Sequence, residues 1–390
     1  MNDYLEKQQE NMLYLLEQLV NIDSGTSDKA GGVDRIGALM ATLYRALGLK
    51  VNVFPEADYG NHLVVRASQQ HKPTILIITH MDTVFEKGTA KLRPFLVKDN
   101  RAYGPGVIDM KASLVAVYFA MKALKEIKSK AFYDVEILLT SDEEIGSVTS
   151  KSLIESHAKD KKFALVMEPA RKNGAIVSAR RGKAHYTLEV FGKAAHSGIE
   201  PEKGRSAIEE LAHKIIQLHD ITDEEKGIHV NVGIIEGGSS VNTISDHASA
   251  EIDVRFRKQE QADQIEQKIE DITSHADIEG TKVRLEGGEI NRPPMEKTAK
   301  TESLLRIIRK VGGDELHIKI TDTETGGGSD ASFTAAIGIP TVDGLGPVGG
   351  NAHREDEYLE IDSFLPRTIL LAEVIKQLHR KINQTKKPQS

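Results

Sequence analysis

His80, Asp109, Glu143, Glu144, Glu168 and His353 are the side chains whose types could do chemistry together. Two imidazoles and several carboxylates, in a chain without a single cysteine, form a ligand set for zinc, cobalt or manganese. Three or more carboxylates are enough for two cations, with one carboxylate bridging them. Two cations that share a water lower its pKa and polarise a carbonyl, which is hydrolytic chemistry. Such a centre needs one further group to carry a proton, and a spare glutamate beside a ligand suits that role. Consecutive side chains on extended backbone point in opposite directions, so Glu143 and Glu144 could divide the work, one on a metal and one on the water. Asp82, two residues after His80, is placed to orient its ring.

Each residue also has an ordinary reading. A histidine at a strand end is commonly a hydrogen-bonded structural residue. Asp109, just before a helical pattern, reads as an N-cap. An acidic pair after a strand reads as the first turn of the next helix. Recurrence is what favours the chemical reading. Residues 75–79 (ILIIT) run straight into His80, residues 135–140 (VEILLT) end in Ser141-Asp142-Glu143-Glu144, and residues 163–167 (FALVM) end in Glu168. Near-continuous apolar runs of this length are strands buried on both faces of a parallel sheet. The carboxyl ends of such strands are where ligands bind.

The elements that must position these groups follow from periodicity. Helices are expected over about 10–20, 33–47 and from just after Asp109, with short strands at 51–54 and 63–66. Strand and helix then alternate, the doubly wound α/β signature. The stretch 81–109 reads as a long, turn-rich loop. From about residue 180 the pattern changes to one-sided alternation, as in Ala250, Ile252, Val254 and Phe256 facing one way and Glu251, Asp253, Arg255 and Arg257 the other. The order βαββαβ over 180–292 is a ferredoxin-like α+β unit, here an insertion. The α/β character resumes after Arg292-Pro-Pro, with helices near 302–311, 331–337 and 361–379 and a Lys-rich tail at 381–390 expected to fray. The expectation is therefore a mainly parallel, doubly wound catalytic domain (1–179 and 293–390) carrying an inserted domain (180–292).

Composition narrows the function further. The chain has 390 residues, 39% hydrophobic and 28% charged, an ordinary globular balance. Its net charge of −7 argues against nucleic acid or an anionic membrane as partner. With no cysteine there are no disulfides, thiolate metal sites or cysteine nucleophile. The amino terminus is charged and amphipathic rather than a secretory signal, and no segment approaches a membrane span, so a cytoplasmic location is expected.

The segments THMDTV, YGPGVIDMK, TSDEEIGS, MEP, GKAAHSG, VNTIS, GGGSDAS and NAHREDEYL occur in one order along nearly the whole chain. In this it resembles the M20 metallopeptidases, and within them the glutamate carboxypeptidase (carboxypeptidase G2-like) branch. The resemblance implies two Zn2+ ions, replaceable by Co2+ or Mn2+. His80 and Glu168 would bind one, Glu144 and His353 the other, and Asp109 would bridge them. Glu143 would be general base and acid, Asp82 would orient His80, and a cis peptide would follow Asp109. The insert would be a lid and dimerisation domain. His196 would reach across a homodimer to stabilise the oxyanion in the other subunit's site.

Substrate contacts are implied at Asn242, Arg255, Arg292 and the Gly326–Gly328 turn around Gly327. Arg292 would pair with a terminal carboxylate. The competing reading for Arg255 is a solvated charge on the outer face of a sheet, and for the glycines a tight turn. Met110 stands where the branch often has a second aspartate; deacylase members of the family also carry Met there, which weakens a strict requirement for glutamate. The expected reaction is attack of a metal-bound hydroxide on an amide next to a free carboxylate, in a small peptide or N-acyl amino acid. N-acyl amino acid deacylase (aminoacylase) or dipeptidase chemistry on the same site is the alternative. A non-catalytic binding protein on this scaffold would be expected to have lost a ligand or the base. A nucleotide-binding enzyme would need a strand–GxGxxG–helix unit, which neither Gly104-Pro-Gly nor residues 326–328 provide.

Overall fold

The apolar run at 75–80 lies inside a six-stranded sheet of the computed structural model, which describes residues 1–67 and 72–384. In chain order the first strands are β1 (Lys50–Phe54), β2 (His62–Arg66), β3 (Ile75–His80), β4 (Leu96–Lys98), β5 (Arg101–Tyr103), β6 (Val135–Thr140) and β7 (Phe163–Val166). The sheet order is β1-β2-β6-β3-β7, completed by Thr341–Val342. β3 runs parallel to both β6 and β7, with His80 opposite Thr140 and Ile78 opposite Val166, so all three chains leave the sheet at one edge. Every residue of β3, β6 and β7 is buried, which is why they read as continuous runs rather than alternating ones. The β1–β2 hairpin adds an antiparallel edge.

Helices α1 (Gln9–Val20), α2 (Asp34–Ala46) and α3 (Ala112–Glu126) share one core with this sheet and the final helix Ile361–Gln384. α3 is buried on nearly every side. No described helix is long and apolar enough to cross a membrane.

Two features depart from the sequence expectation. The stretch 81–109 holds the β4–β5 hairpin, which joins Tyr358–Glu360 and Gly349–Gly350 in a second, four-stranded sheet. Its strands are two or three residues long and β4 is wholly exposed, so no periodicity marks them. The last helix runs on through Gln384, so residues 381–384 are helical rather than frayed. The rest of that tail, 385–390, lies outside the described residues.

The unit just described comprises Met1–Ser178, Lys297–Glu324 and the chain from Ser329 on. A second unit comprises Ala179–Glu296 and Thr325–Gly328. Its elements are β8 (Gly182–Phe191), α4 (Ala207–His219), β9 (His229–Gly237), β10 (His247–Phe256), α5 (Gln259–Thr273) and β11 (Lys282–Arg292). They form an antiparallel sheet of order β9-β10-β8-β11, the ferredoxin-like arrangement the alternation predicts. One face of the sheet carries Tyr186, Leu188, Ile252 and Val254, which share a separate core with Leu211 and Leu218 of α4 and Ile265 and Ile269 of α5. The molecule is thus an α/β catalytic domain with a mixed, mainly parallel sheet, plus a smaller antiparallel-sheet domain.

Candidate metal centre

β3 ends at His80, whose ring is 2% exposed. Its Nδ1 lies 2.9 Å from the Asp82 carbonyl oxygen and 3.4 Å from Asp82 Oδ1. That leaves Nε2 facing outward, 3.2 Å from Asp109 Oδ1 and 3.7 Å from Glu168 Oε1. The fully buried Asp82 carboxylate does more than orient the ring. It accepts from Thr26 Oγ1 (2.8 Å), Glu143 N (3.2 Å) and Glu144 N (3.1 Å). It therefore ties the end of β3 to the turn after β6.

That turn, Glu143–Ile145, is closed by Gly146 at φ +98° and pinned from behind by Asp142. The Asp142 carboxylate accepts from Thr149 N and Oγ1 and from Ser150 N and Oγ, at 2.5–3.1 Å. Sequence reasoning assigned no role to Asp142 and missed the second task of Asp82. Both act through contacts within a loop or between strand ends, which leave no periodic trace.

Asp109 lies in the turn before α3 at φ −116°, ψ 91°, and its peptide bond to Met110 is cis, as the resemblance implies. It is not an N-cap: α3 is capped by Lys111, with no side-chain hydrogen bond. Its carboxylate instead faces two imidazoles, Oδ1 toward His80 Nε2 at 3.2 Å and Oδ2 toward His353 Nε2 at 3.3 Å. His353 sits at φ +66°, uncommon for a side chain of this size, and its Nε2 is also 3.1 Å from Glu144 Oε2. Met110 is 1% exposed, and its sulfur accepts a hydrogen bond from the His80 N–H (3.1 Å).

The charges are crowded. Burial, then the Asp109 charge, lifts Glu168 well above the usual carboxylate range. Burial and the Asp109 charge likewise raise Glu144, against the hydrogen bond from His353. Burial also works against an ionised Asp109, but the imidazoles of His353 and His80 hold it below that range. Hydrogen bonds to Asp109 and Glu144 push His353 up to about 10. Burial presses His80 down, yet Asp109, Asp82 and the Glu168 charge carry it well above its ordinary value. Every shift asks for positive charge at this point. Among the described residues Glu144 Oε1 is buried with no hydrogen-bond partner, while its Oε2 faces His353.

Divalent cations fit this donor set. Donor atoms of His80, Asp109 and Glu144 lie within 4.8 Å of one another, and so do those of His80, Glu143 and Glu168. All are imidazole nitrogens or carboxylate oxygens, suited to zinc, cobalt or manganese. Glu143 thus reaches the same space as the other carboxylates.

Residues 76–377 match the sequence profile of peptidase family M20/M25/M40. The chain belongs to that family. This M20 protein is accordingly a metal-dependent hydrolase by family and by donor set. It is 29% identical over 384 residues to carboxypeptidase G2 of Pseudomonas sp. (strain RS-16), covering 95% of this chain and 90% of that one. It is 24% identical over 393 residues to succinyl-diaminopimelate desuccinylase of Delftia acidovorans (strain DSM 14801 / SPH-1), covering 95% and 98%. Among solved structures, aminopeptidase PepT from Bacillus cereus ATCC 10987 is similar with a TM-score of 0.80 at 25% identity, covering 95% and 99%.

The remaining residues singled out in this M20 sequence lie in the second unit. His196 is exposed on the two-residue strand Ala195–His196, paired with Thr243–Ile244. The Gly198 N–H donates to its Nδ1 (3.1 Å), so the neutral ring carries its proton on Nε2. Thr243 is its partner across that pairing, and the residue before it, Asn242, faces Ser197, its carbonyl accepting from Ser197 N and Oγ. Arg255 is not simply solvated: Nε donates to Asp253 (2.8 Å) and Nη1 to Gly326 O (3.3 Å). Arg292, 6% exposed, sits opposite Lys183 of β8, as Arg255 does from the other side. Arg180, which sequence reasoning missed, donates to Gly327 O (2.8 Å) and Gly328 O (3.1 Å). None of the three glycines has a positive φ, and a Cβ on any of them would meet nothing closer than 3.4 Å. The turn itself therefore does not require glycine.

Proposed function

We propose that this protein hydrolyses an amide bond in an N-acyl amino acid or a short peptide, at a centre of two divalent cations, zinc in the first instance. The observation that carries the reading is Asp109, whose two oxygens each face a different imidazole. In this reading His80 and Glu168 would hold one cation and Glu144 and His353 the other, with Asp109 serving both. When bound, the cations supply electrophilic polarisation of the scissile carbonyl and a lowered pKa for the attacking water. Glu143 takes the proton from that water and later delivers it to the leaving nitrogen. Asp82 fixes the His80 ring and the Glu143–Glu144 turn in one frame. Arg292, Arg255 and Asn242 bind the polar end of the substrate, with the Arg292 fork on a carboxylate, and the backbone at Gly327 lies open to its approach.

The deacylase or dipeptidase form of this reading is preferred to a strict glutamate carboxypeptidase. Similar proteins include a desuccinylase and an aminopeptidase as well as carboxypeptidase G2. Met110, buried beneath His80, leaves no acidic group at that position to select a substrate. The test is a panel of dipeptides, N-acetyl and N-succinyl amino acids and C-terminal glutamyl peptides, assayed with zinc, cobalt or manganese. About two metal ions per chain and loss of turnover on chelation are expected, with the highest kcat/KM on N-acyl amino acids or dipeptides. Amide cleavage at an undiminished rate after metal removal would sink the reading.

The proposal includes a homodimer through the second unit. β9 is an edge strand with Ile234 and Ile235 59% and 62% exposed, and Ile208 and Ile216 of α4 are 48% and 63% exposed. An apolar patch along an unpaired edge is a surface for a second copy. His196 is then assigned to donate its Nε2–H to the carbonyl oxygen across the dimer. His196→Ala is expected to lower kcat about 10²–10³-fold, as for an oxyanion donor, with metal content unchanged. Wild-type turnover by that variant in a dimer confirmed by sedimentation would reject the role.

A further inference from the structure

Glu357 is a buried carboxylate, 1% exposed, that takes no part in the centre as described so far. Its Oε1 accepts from Ile108 N (2.9 Å) and Asp109 N (3.1 Å), and its Oε2 from Gly106 N (3.0 Å). Three backbone N–H groups from four successive residues thus converge on one carboxylate, an anion cradle built from the turn that carries Asp109. Gly106 permits the cradle: its φ is +70°, and a Cβ there would lie 2.4 Å from Thr83 Cγ2. On the other side Lys111, also 1% exposed, donates from Nζ to Pro105 O (3.0 Å) and Ile22 O (2.9 Å), closing the turn from below.

Glu357 follows His353 by four residues. The intervening chain is a pair of tight turns, in which Arg354 N donates to Asn351 O and Glu357 N to Arg354 O. Immediately after it, Tyr358–Glu360 pairs with β5, which leads into the Asp109 turn. One side chain therefore fastens the segment bearing His353 to the segment bearing Asp109. Those are the two groups that face each other at 3.3 Å. β-Sheet pairing sets their strands, and the cradle holds the Asp109 N–H itself.

We propose that Glu357 is a positioning residue that sets the spacing of Asp109 and His353, and so the affinity for the cation those two share. The inference rests on the two-cation reading above. Glutamine at 357 would keep the volume but turn an NH2 group toward N–H donors, loosening the cradle without emptying it. Loss of an outer partner of this kind weakens metal binding about 10–100-fold.

The experiment is calorimetric titration of chelator-treated full-length protein with zinc, comparing wild type, Glu357→Gln and Glu357→Asp. Thermal unfolding of the metal-free forms is measured alongside. Wild type is expected to show two binding events. In Glu357→Gln the event that depends on both Asp109 and His353 weakens about 10–100-fold, and the other, which shares Asp109 but not His353, weakens by less. At saturating zinc, KM stays within about twofold of wild type. Glu357→Asp keeps the charge on a shorter arm, so the same event weakens by less; it carries the test if the glutamine variant does not fold. Two unchanged binding constants would overturn the proposal, and so would equal weakening of both, which is what a general loss of stability would produce. A wild type that takes up no second ion would overturn the two-cation reading itself, and this inference with it.

Discussion

Replacing Glu143 by alanine is expected to lower turnover by about 10²–10⁴-fold while both cations stay bound. Glu143 and Glu144 hang from the same anchor, their N–H groups donating to the two oxygens of Asp82 at 3.2 and 3.1 Å. Their side chains then part. Glu144 turns to His353, 3.1 Å away, and is nearly buried at 6% exposure. Glu143, like Glu144 only partly exposed, lies instead on the side of His80 and Glu168. A proton carrier must keep some access to water and substrate. Glu143 can also reach the group formed by His80 and Glu168, so the variant must be read two ways at once. Metal content by elemental analysis is compared with kcat on the best substrate of the panel. Full metal with turnover lost supports the base. Loss of one ion with turnover lost would make Glu143 a ligand instead, and full metal with normal turnover would exclude both roles.

The parts of this centre legible in the sequence were those attached to strands buried on both faces. Residues 75–78 and 163–167 are apolar throughout, so His80 and Glu168 stand out as polar groups at the ends of those runs. The one-sided alternation of β8 and β10 likewise announced the second unit, because each covers one face only. What stayed hidden was held by contacts between distant segments. The strands of the β4–β5 sheet are two or three residues long, too short for any period to show. Asp82 could be paired with His80 by its spacing, but its hold on Glu143 and Glu144 spans about sixty residues. Glu357 looked like one more charge in an acidic run until three N–H groups 248–251 residues away were seen to point at it. Met110 could be read for substrate preference, but not for its further contact, a sulfur that accepts the His80 N–H beneath the site. Periodicity reports which face of an element is buried. It does not report which loop a buried carboxylate will staple.

Asp109→Ala is expected to have the largest effect of any single change, removing the response to both cations. Each Asp109 oxygen faces a different imidazole Nε2, at 3.2 and 3.3 Å, so one truncation takes a donor from each half of the centre. The consequences for the metal-free and metal-loaded protein have opposite signs. Without metal, the Asp109 charge is one of the forces raising Glu168 and Glu144. Its removal relieves that repulsion, at the cost of two imidazole contacts, and the unfolding temperature should move little. With metal, wild type gains about 2.7 kcal/mol per site at a hundredfold excess over Kd, and the variant should gain almost none. The measurement is thermal unfolding with and without added zinc, together with elemental analysis. Asp109→Asn sharpens it: the amide keeps one oxygen acceptor but turns NH2 to the other side, so it can serve one half of the centre and not the other. One ion per chain in the asparagine variant and almost none in the alanine variant would mark a carboxylate shared between two cations. Two ions in Asp109→Ala, with the wild-type gain in unfolding temperature, would mean the imidazoles hold separate sites and that Asp109 merely lies between them.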